Sequence, residues 1–288
     1  AVYGNLASGS WHAESIYGGV GDFSTYLVTL LPMLLLLAYY QYKNRAKLTL
    51  LFSFLAAILF LLAALLTKNL MFWICFLVQL LALPLLGMRG RGRLKLAIGL
   101  VAAGIALSGL VAVGVQKSRI TSFTPQGMAA MFIDDPRVQH WTNVVRIIRQ
   151  QPFRGDGFGR AALSKAHPEV VISNNALWHS HNLFLDATIQ MGVQGALALL
   201  LLFGCLVWRF NRLRLDPDRE LHVIGVAGLV LLLGILSKSM TDNFFYRHLS
   251  LLFWAETGML LGLGRGLLLA KRAEGEFSRE TGSSPEVS

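Results

Sequence analysis

The sequence predicts an all-α membrane protein, a polytopic transmembrane helical bundle with a partly helical insertion outside the bilayer. Hydrophobic residues make up 54% of the 288 residues, and the mean hydropathy is +0.54. Long apolar runs with few charges recur along the chain, and about 20 such residues cross a bilayer as a helix. Basic residues cluster in every second loop between these runs, as they do in cytoplasmic loops.

Seven apolar runs are predicted to be transmembrane helices. Most are long enough to cross a hydrocarbon core of about 30 Å at 1.5 Å per residue, although the first and sixth are short. The fifth run is predicted to be one continuous helix. The seven are Tyr26–Tyr42, Leu48–Leu66, Leu70–Gly87, Leu94–Val115, Leu183–Phe210, Leu221–Leu236 and Leu249–Ala270.

The positions of the basic residues predict the orientation of the chain in the membrane. The net charge is +10, and its distribution is explained by topology rather than by nucleic-acid binding. Segments 43–47, 88–95 and 209–220, with Lys271 and Arg272, are assigned to the cytoplasm. The opposite, periplasmic side receives residues 1–25, 67–69, 116–181 and 237–248.

This topology divides the chain into four parts. Residues 1–115 form a first membrane part with four helices, residues 116–181 form a periplasmic loop domain, and residues 182–272 form a second membrane part with three helices. Residues 273–288 are polar and are predicted to be a disordered cytoplasmic tail. The chain opens on Ala1 with no visible signal peptide, which suggests a fragment of a longer membrane protein whose first helices are absent.

The insertion contains one predicted amphipathic helix and one glycine-rich loop. Asp135 and Pro136 are typical helix openers, and Val138, Trp141 and Val144 begin an apolar stripe at helical spacing. A basic amphipathic helix beside a membrane often lies in the interface. In the stretch 152–160, backbone N–H groups could face an anion, and a plain surface turn is an equal alternative.

Cations on the predicted external face are candidates for binding a phosphorylated lipid, because arginine forks bind phosphate oxygens with charge-assisted hydrogen bonds. Two of them, Lys68 and Arg247, lie in short external loops, where the positive-inside rule disfavours basic residues. The candidate donor-binding residues are Arg137, Lys68, Arg247, Arg154 and Arg160.

His181 is the candidate catalytic residue, since a neutral imidazole can take a proton from a sugar hydroxyl. With Asn182 it opens the string His181-Asn182-x9-Gly192-x-x-Gly195. The alternative is a helix cap followed by a packing pair, in which Gly192 and Gly195 let a neighbouring helix approach closely. His179 and His181 could be two metal ligands, but no third ligand is evident nearby, so no metal site and no cofactor are expected.

These motifs resemble the O-antigen ligase and polymerase superfamily, and the ligase branch most closely. The His181 string matches the ligase signature, and the stretch from Arg137 through Trp141 to Gly155-Asp156-Gly157 looks like the family's periplasmic segment. The segment Asp242–Arg247 looks like its last external loop. The resemblance covers most of the chain, from about Gly18 to Gly262.

The resemblance implies an inverting, metal-independent glycosyl transfer in the periplasm of a bacterial inner membrane. The donor would be a glycan on undecaprenyl pyrophosphate, and the acceptor a sugar hydroxyl of lipid A-core. By this resemblance His181 would be the general base or orient the acceptor, and Arg137 would hold pyrophosphate, with Asn182 and Trp141 in support.

The chain departs from the family pattern at the turn between the second and third helices. The family often carries an arginine where this chain has Leu70, in the sequence Thr67-Lys68-Asn69-Leu70. Lys68 could substitute as a point charge, or the chain could be an impaired variant. The alternatives to ligase are a polymerase or protein O-oligosaccharyltransferase of the same fold and, from another class, a lipid-linked glycan transporter.

Overall fold

The computed structural model describes residues 2–5, 10–13, 20–88, 92–116, 136–171 and 177–281. The long helices of the membrane bundle are α1 (Val20–Lys43), α2 (Lys47–Thr67), α3 (Leu70–Gly87), α4 (Gly92–Gln116), α9 (Val193–Leu215), α10 (Arg219–Ser239) and α11 (Arg247–Thr281). The insertion and its return to the membrane contain α5 (Pro136–Gln150), α6 (Ala162–Ala166), α7 (Pro168–Val171) and α8 (Leu183–Met191).

The described residues contain seven helices long and apolar enough to cross a membrane, which confirms the predicted helical bundle. A short antiparallel hairpin, β1 (Val2–Asn5) and β2 (Ser10–Ala13), precedes them and was not expected in an all-α chain. In lipid, backbone groups must be satisfied internally, and a helix achieves this within one segment.

Helix α10 forms the centre of the bundle. In an apolar stretch of 18 residues, 72% of the residues of α10 are buried, whereas the corresponding shares for α2 and α4 are 11% and 12%. Helices α1, α3, α9 and α11 pack around it. The apolar surfaces of α2 and α4 are therefore the least covered by protein among the described membrane helices.

Two glycines of α10 allow α9 to approach closely. A Cβ atom on Gly225 would lie 2.2 Å from the backbone nitrogen of Arg214, and one on Gly228 would lie 2.2 Å from the ring of Phe210. Small residues at such crossings let two membrane helices pack at short distance. Gly192 and Gly195, the pair predicted for this role, lie instead at a break within one predicted span.

Gly192 ends one helix and begins the next, so the predicted fifth helix is broken into α8 and α9. Its φ of +75° is in the region that favours glycine. The backbone N–H of Val193 donates to the carbonyl oxygen of Pro152 at 2.8 Å, so the insertion packs directly on the break. A Cβ on Gly195 would lie 2.5 Å from Cβ of Met191, which is a contact within this turn rather than between two spans.

Helix α5 matches the amphipathic helix predicted after Asp135, which itself lies outside the described residues. Val144 is fully buried and packs with Leu163 and Ile189, so the apolar face of α5 is covered by protein rather than by the membrane interface. At the other end of the chain α11 continues to Thr281. Residues 273–281 are thus helical and not part of a disordered tail, and residues 282–288 lie outside the described part.

Candidate functional site

A cluster of titratable side chains lies at one end of the bundle, where α8 begins and where the loop 240–246 joins α10 to α11. His181 precedes α8 in a left-handed conformation with φ of +51°. Left-handed backbone is uncommon for a residue with a side chain, and such strain often marks functional sites. Asn182 caps α8, because its side chain accepts hydrogen bonds from the N–H groups of Phe184 and Leu185. The helix-cap interpretation therefore holds for Asn182, and His181 projects beside it.

The imidazole of His181 lies between a second histidine and a carboxylate. Its ring stacks on that of His179, with the centroids 3.8 Å apart. Its Nδ1 atom is 3.8 Å from Oδ1 of Asp242. The side chain of His181 is 14% exposed, so a substrate group can reach it while most of the ring is held by protein.

His179 is fully buried and is oriented by Asp186. Nδ1 of His179 is 3.3 Å from Oδ2 of Asp186. The carboxylate also accepts from Ser180, through its backbone N–H at 2.9 Å and its hydroxyl at 2.5 Å, and from Nδ2 of Asn243 at 2.7 Å. Burial raises the pKa of the Asp186 carboxyl, but the hydrogen bonds from His179, Ser180 and Asn243 outweigh it and hold the pKa below its ordinary value. Asp186 is thus a buried anchor of the site and not a solvated interfacial carboxylate.

Asp242 lies among three basic side chains, those of Arg160, His181 and Lys238. Nη2 of Arg160 donates to Oδ1 of Asp242 at 3.2 Å, and His181 faces the same oxygen. Burial raises the pKa of the Asp242 carboxyl, but the nearby charge of Lys238, with smaller effects of His181 and Arg160, holds it below the ordinary value. Lys238 is only 2% exposed, and a buried ammonium requires a compensating charge of this kind.

Arg160 is held by aromatic rings as well as by Asp242. Its guanidinium carbon lies 4.0 Å from the ring centroid of Tyr246 and 5.2 Å from that of Trp178. The hydroxyl of Tyr246 donates to Asp22 at the start of α1. Burial, together with the hydrogen bond to Asp22, raises the pKa of Tyr246. Nε of Arg160 is buried and has no acceptor among the described residues, whereas the side chain as a whole is 22% exposed, so its outer edge can still meet a ligand.

The amphipathic helix α5 positions the loop that carries His181. Nε2 of His140 lies 3.0 Å from the carbonyl oxygen of His179, and the indole N–H of Trp141 donates to the carbonyl oxygen of Ser180 at 2.7 Å. Arg137, one turn earlier, donates through Nη1 to the carbonyl oxygen of Thr241 at 3.2 Å. Helix α5 therefore binds both loops of the site, and Trp141 acts in the structure as a hydrogen-bond donor to the backbone.

Residues 55–200 match the model of a protein family described as O-antigen ligase. The matched segment is just over half of the chain and includes α5, His181 and the helix break at Gly192. The chain belongs to the O-antigen ligase family. It is a multi-pass membrane protein of a glycosyltransferase-like class that acts on lipid-linked glycans. Searches of curated proteins and of solved structures returned no match.

The structure of this O-antigen ligase family member brings several of the predicted donor-binding residues together and separates others. Arg137 and Arg160 flank the Thr241–Asp242 segment from two parts of the insertion. Arg154 is exposed and lines a separate pocket of about 200 Å³ beside Asp156 and His167. In the described part of the chain, no contact joins Arg154 to the His181 cluster.

Lys68 and Arg247 lie at the same end of the bundle but outside the hydrogen-bonded cluster. Lys68 ends α2 and Arg247 begins α11, both with φ near +50°. Asn69, which follows Lys68, caps α3 and donates to the hydroxyl of Ser24 at 2.9 Å. Leu70 begins α3 half-buried, so the position of the family's expected arginine is at this same end of the bundle.

Three side chains of the cluster could also hold a metal ion by their spacing. Ligand atoms of His179, His181 and Asp242 all lie within 4.8 Å of one another. The third of these, Asp242, comes from a distant loop, so only the two histidines are recognisable as candidate ligands in the sequence. Arg160 already pairs with Asp242, and the positive charges of Arg160 and the nearby Lys238 oppose the binding of a divalent cation. The absence of a metal requirement stays a prediction.

Asp242 and Tyr246 were missed as site residues. Asp242 and Tyr246 belong to the segment recognised as the last external loop, which was the available signal. Lys238 was predicted to lie in the external loop 237–248. It lies instead in the last turn of α10 and is buried, which its neighbours in sequence do not reveal. His140 was missed because it lies beside the apolar stripe of α5 and not in a motif.

Proposed function

We propose that the protein is an O-antigen ligase, a periplasmic inverting glycosyltransferase of lipopolysaccharide biosynthesis. It would move a glycan from undecaprenyl pyrophosphate to a sugar hydroxyl of lipid A-core. The observation that carries this proposal is the juxtaposition of His181 and Asp242 with Arg160, Arg137 and Lys238. A base and a set of cations at one end of a membrane bundle are the two requirements for this transfer.

In the proposed reaction His181 takes the proton of the acceptor hydroxyl. With Nδ1 turned to Asp242, Nε2 is the atom that accepts the proton. Asp242 then stabilises the imidazolium ion, as a carboxylate does beside a histidine base. His179 supports the ring of His181 from behind and is fixed in turn by Asp186.

The cations bind the leaving group in this proposal. The acceptor oxygen forms its bond to the anomeric carbon while the bond from that carbon to the pyrophosphate oxygen breaks, and attack from the opposite face inverts the configuration. Arg160, whose side chain is 22% exposed beside Asp242, stabilises the departing pyrophosphate through its guanidinium, and Arg137 and Lys238 add positive charge to the site. The proton on His181 passes to solvent, so the step needs no metal.

Metal independence follows from this mechanism and can be tested separately. We expect transfer to survive EDTA, since the residues around Asp242 supply the charge that a metal would otherwise provide. Loss of transfer in EDTA that a divalent ion restores would contradict the mechanism and would support binding at His179, His181 and Asp242 instead.

The acceptor decides between the ligase and its rivals. Proteoliposomes containing the full chain would receive a labelled undecaprenyl-pyrophosphate-linked glycan, with lipid A-core, with an acceptor protein, or with neither. A glycan joined to lipid A-core supports the ligase. A lengthened glycan without any acceptor indicates the polymerase, a labelled protein indicates the O-oligosaccharyltransferase, and movement of intact donor across the bilayer without release of undecaprenyl pyrophosphate indicates a transporter.

The proposal also requires the His181 end of the bundle to face the periplasm. Single cysteines at Lys165 and Lys95, in a variant without Cys75 and Cys205, test this with a membrane-impermeant thiol reagent in spheroplasts. We expect labelling at position 165 and protection at position 95, because basic loops are retained in the cytoplasm. The reverse pattern would place the site in the cytoplasm and exclude a periplasmic ligase.

A further inference from the structure

A second cationic feature lies at the other end of the bundle, between α9 and α11. It is a cavity of about 650 Å³ whose polar lining is formed by four arginines and one aspartate. The apolar lining includes Leu213, Leu261 and Leu268. The arginines come from two different helices, and they are Arg209, Arg212, Arg265 and Arg272.

The cavity lies about one membrane thickness from the His181 site. Helix α11 begins beside that site at Arg247 and runs without a break past the cavity. At 1.5 Å per residue, the stretch from Arg247 to Arg265 is about 27 Å long, close to the hydrocarbon thickness of about 30 Å. The cavity therefore opens at the opposite membrane–water interface.

A tryptophan beside the cavity supports this position. Trp208 is about half exposed, and its ring lies 5.0 Å from the guanidinium carbon of Arg212 and 5.8 Å from that of Arg209. Tryptophan is enriched at the level of lipid headgroups, where its ring meets both the apolar and the aqueous phase. The arginines of α9 are thus held at headgroup level.

We infer that this cavity binds the headgroup of an anionic phospholipid of the membrane leaflet opposite the His181 site. The four arginines outnumber the single Asp216 in the lining, so the charge complements one or two phosphate groups. The leucines lie where the first carbons of the acyl chains would leave the headgroup. Basic pockets between membrane helices at this interface are suited to lipids with more than one phosphate.

General attraction of basic loops to the membrane does not account for the arrangement. Other basic residues at this end, such as Arg45, Lys47 and Arg93, do not line the cavity. Gly262 does line it, and a Cβ there would meet nothing within 4 Å, so the space beside this glycine is open. A defined cavity with arginines from two helices predicts selective binding, whereas scattered charges predict only weak attraction.

The test is native mass spectrometry of the full chain in detergent, titrated with cardiolipin and, separately, with phosphatidylethanolamine. One variant replaces the four cavity arginines by glutamine. The matched control replaces four basic residues at the same membrane end, outside the cavity, by glutamine: Arg45, Lys47, Arg93 and Lys95. We expect cardiolipin binding to weaken at least about tenfold in the cavity variant and to change little in the control. Phosphatidylethanolamine should bind weakly throughout.

A second variant, Gly262→Leu, fills the open space and leaves every arginine in place. It should weaken cardiolipin binding as well, and it decides the question if the fourfold variant does not fold. Equal losses in the cavity variant and the control, or unchanged binding in Gly262→Leu, would overturn the inference. Displacement of cardiolipin by millimolar inorganic phosphate would show a site for a free anion and would also refute the lipid assignment.

Discussion

Replacing Asp242 by asparagine removes a charge at the centre of the site and keeps the size of the side chain. In the proposed mechanism Asp242 stabilises the imidazolium that His181 forms when it takes the acceptor proton. The two charges lie 3.8 Å apart, and the side chains of His181 and Asp242 are 14% and 19% exposed. Two unit charges at about 4 Å interact by about 4 kcal/mol at an effective dielectric constant of about 20.

Solvent at the partly exposed edge reduces this interaction to roughly 2–3 kcal/mol. Because each 1.36 kcal/mol changes a rate about tenfold, Asp242→Asn should slow transfer on the order of 10²-fold. The assay is the initial rate of glycan transfer in proteoliposomes at saturating donor. Asp156→Asn is the matched control, since that carboxylate pairs with His167 at 3.0 Å in the same insertion but outside the cluster.

Loss of Asp242 also removes the largest compensating charge near the buried Lys238, so Asp242→Asn should also lower the thermal stability. The double variant Lys238→Met/Asp242→Asn removes both charges and should regain much of the thermal stability without regaining transfer. A well-folded Asp242→Asn protein that transfers within about threefold of the wild type would refute the role given to Asp242.

Three further predictions concern Arg160, Gly192 and Asp186. Arg160→Lys keeps the charge but loses the planar fork, so it should raise the KM for the donor several-fold, and Arg160→Ala should raise it further. An unchanged KM in both variants would remove Arg160 from the donor site. Gly192→Ala should lower the free energy of unfolding by about 1–3 kcal/mol, because φ is +75° and a Cβ would lie 2.8 Å from the carbonyl oxygen of Phe153. The control is Gly204→Ala, since a Cβ there would meet nothing within 4 Å. Equal melting temperatures of the two variants would contradict the proposed turn. The pKa of Asp186 lies below its ordinary value of 3.8, so its contribution to stability is present above that pH and is lost as the pH falls through the lowered value. Melting temperatures between pH 5 and pH 2.5 should show this loss in the wild type. A similar fall of the melting temperature with pH in Asp186→Asn would argue against it.

The membrane helices could be predicted from the sequence because their signal is local. A run of about 20 apolar residues identifies itself without reference to the rest of the chain. The break at Gly192 could not be predicted in this way, since both sides of it are apolar and helical. The break is stabilised by the insertion, through the hydrogen bond from Val193 to Pro152, and that contact is invisible in the local pattern.

The candidate site was only partly predictable for the same reason. His181 and Arg137 stand in recognisable motifs, and the structure places both at one end of the bundle. Asp242 and Lys238 gain their importance from burial and from partners far away in sequence. Arg154 and Arg160 are equivalent in sequence, as two arginines flanking a glycine-rich loop, but only Arg160 reaches Asp242.

The most direct test of the proposed function is the transfer rate of His181→Ala beside that of His167→Ala. His167 belongs to the same insertion but pairs with Asp156 and Glu169, away from the cluster. We measure glycan transfer to lipid A-core in proteoliposomes with equal amounts of folded protein, as judged by thermal unfolding. Loss of a general base should slow His181→Ala on the order of 10²–10⁴-fold and leave His167→Ala near the wild type. Near-normal transfer by a folded His181→Ala protein would contradict the catalytic role of His181 and leave it as a neighbour of the Asn182 helix cap.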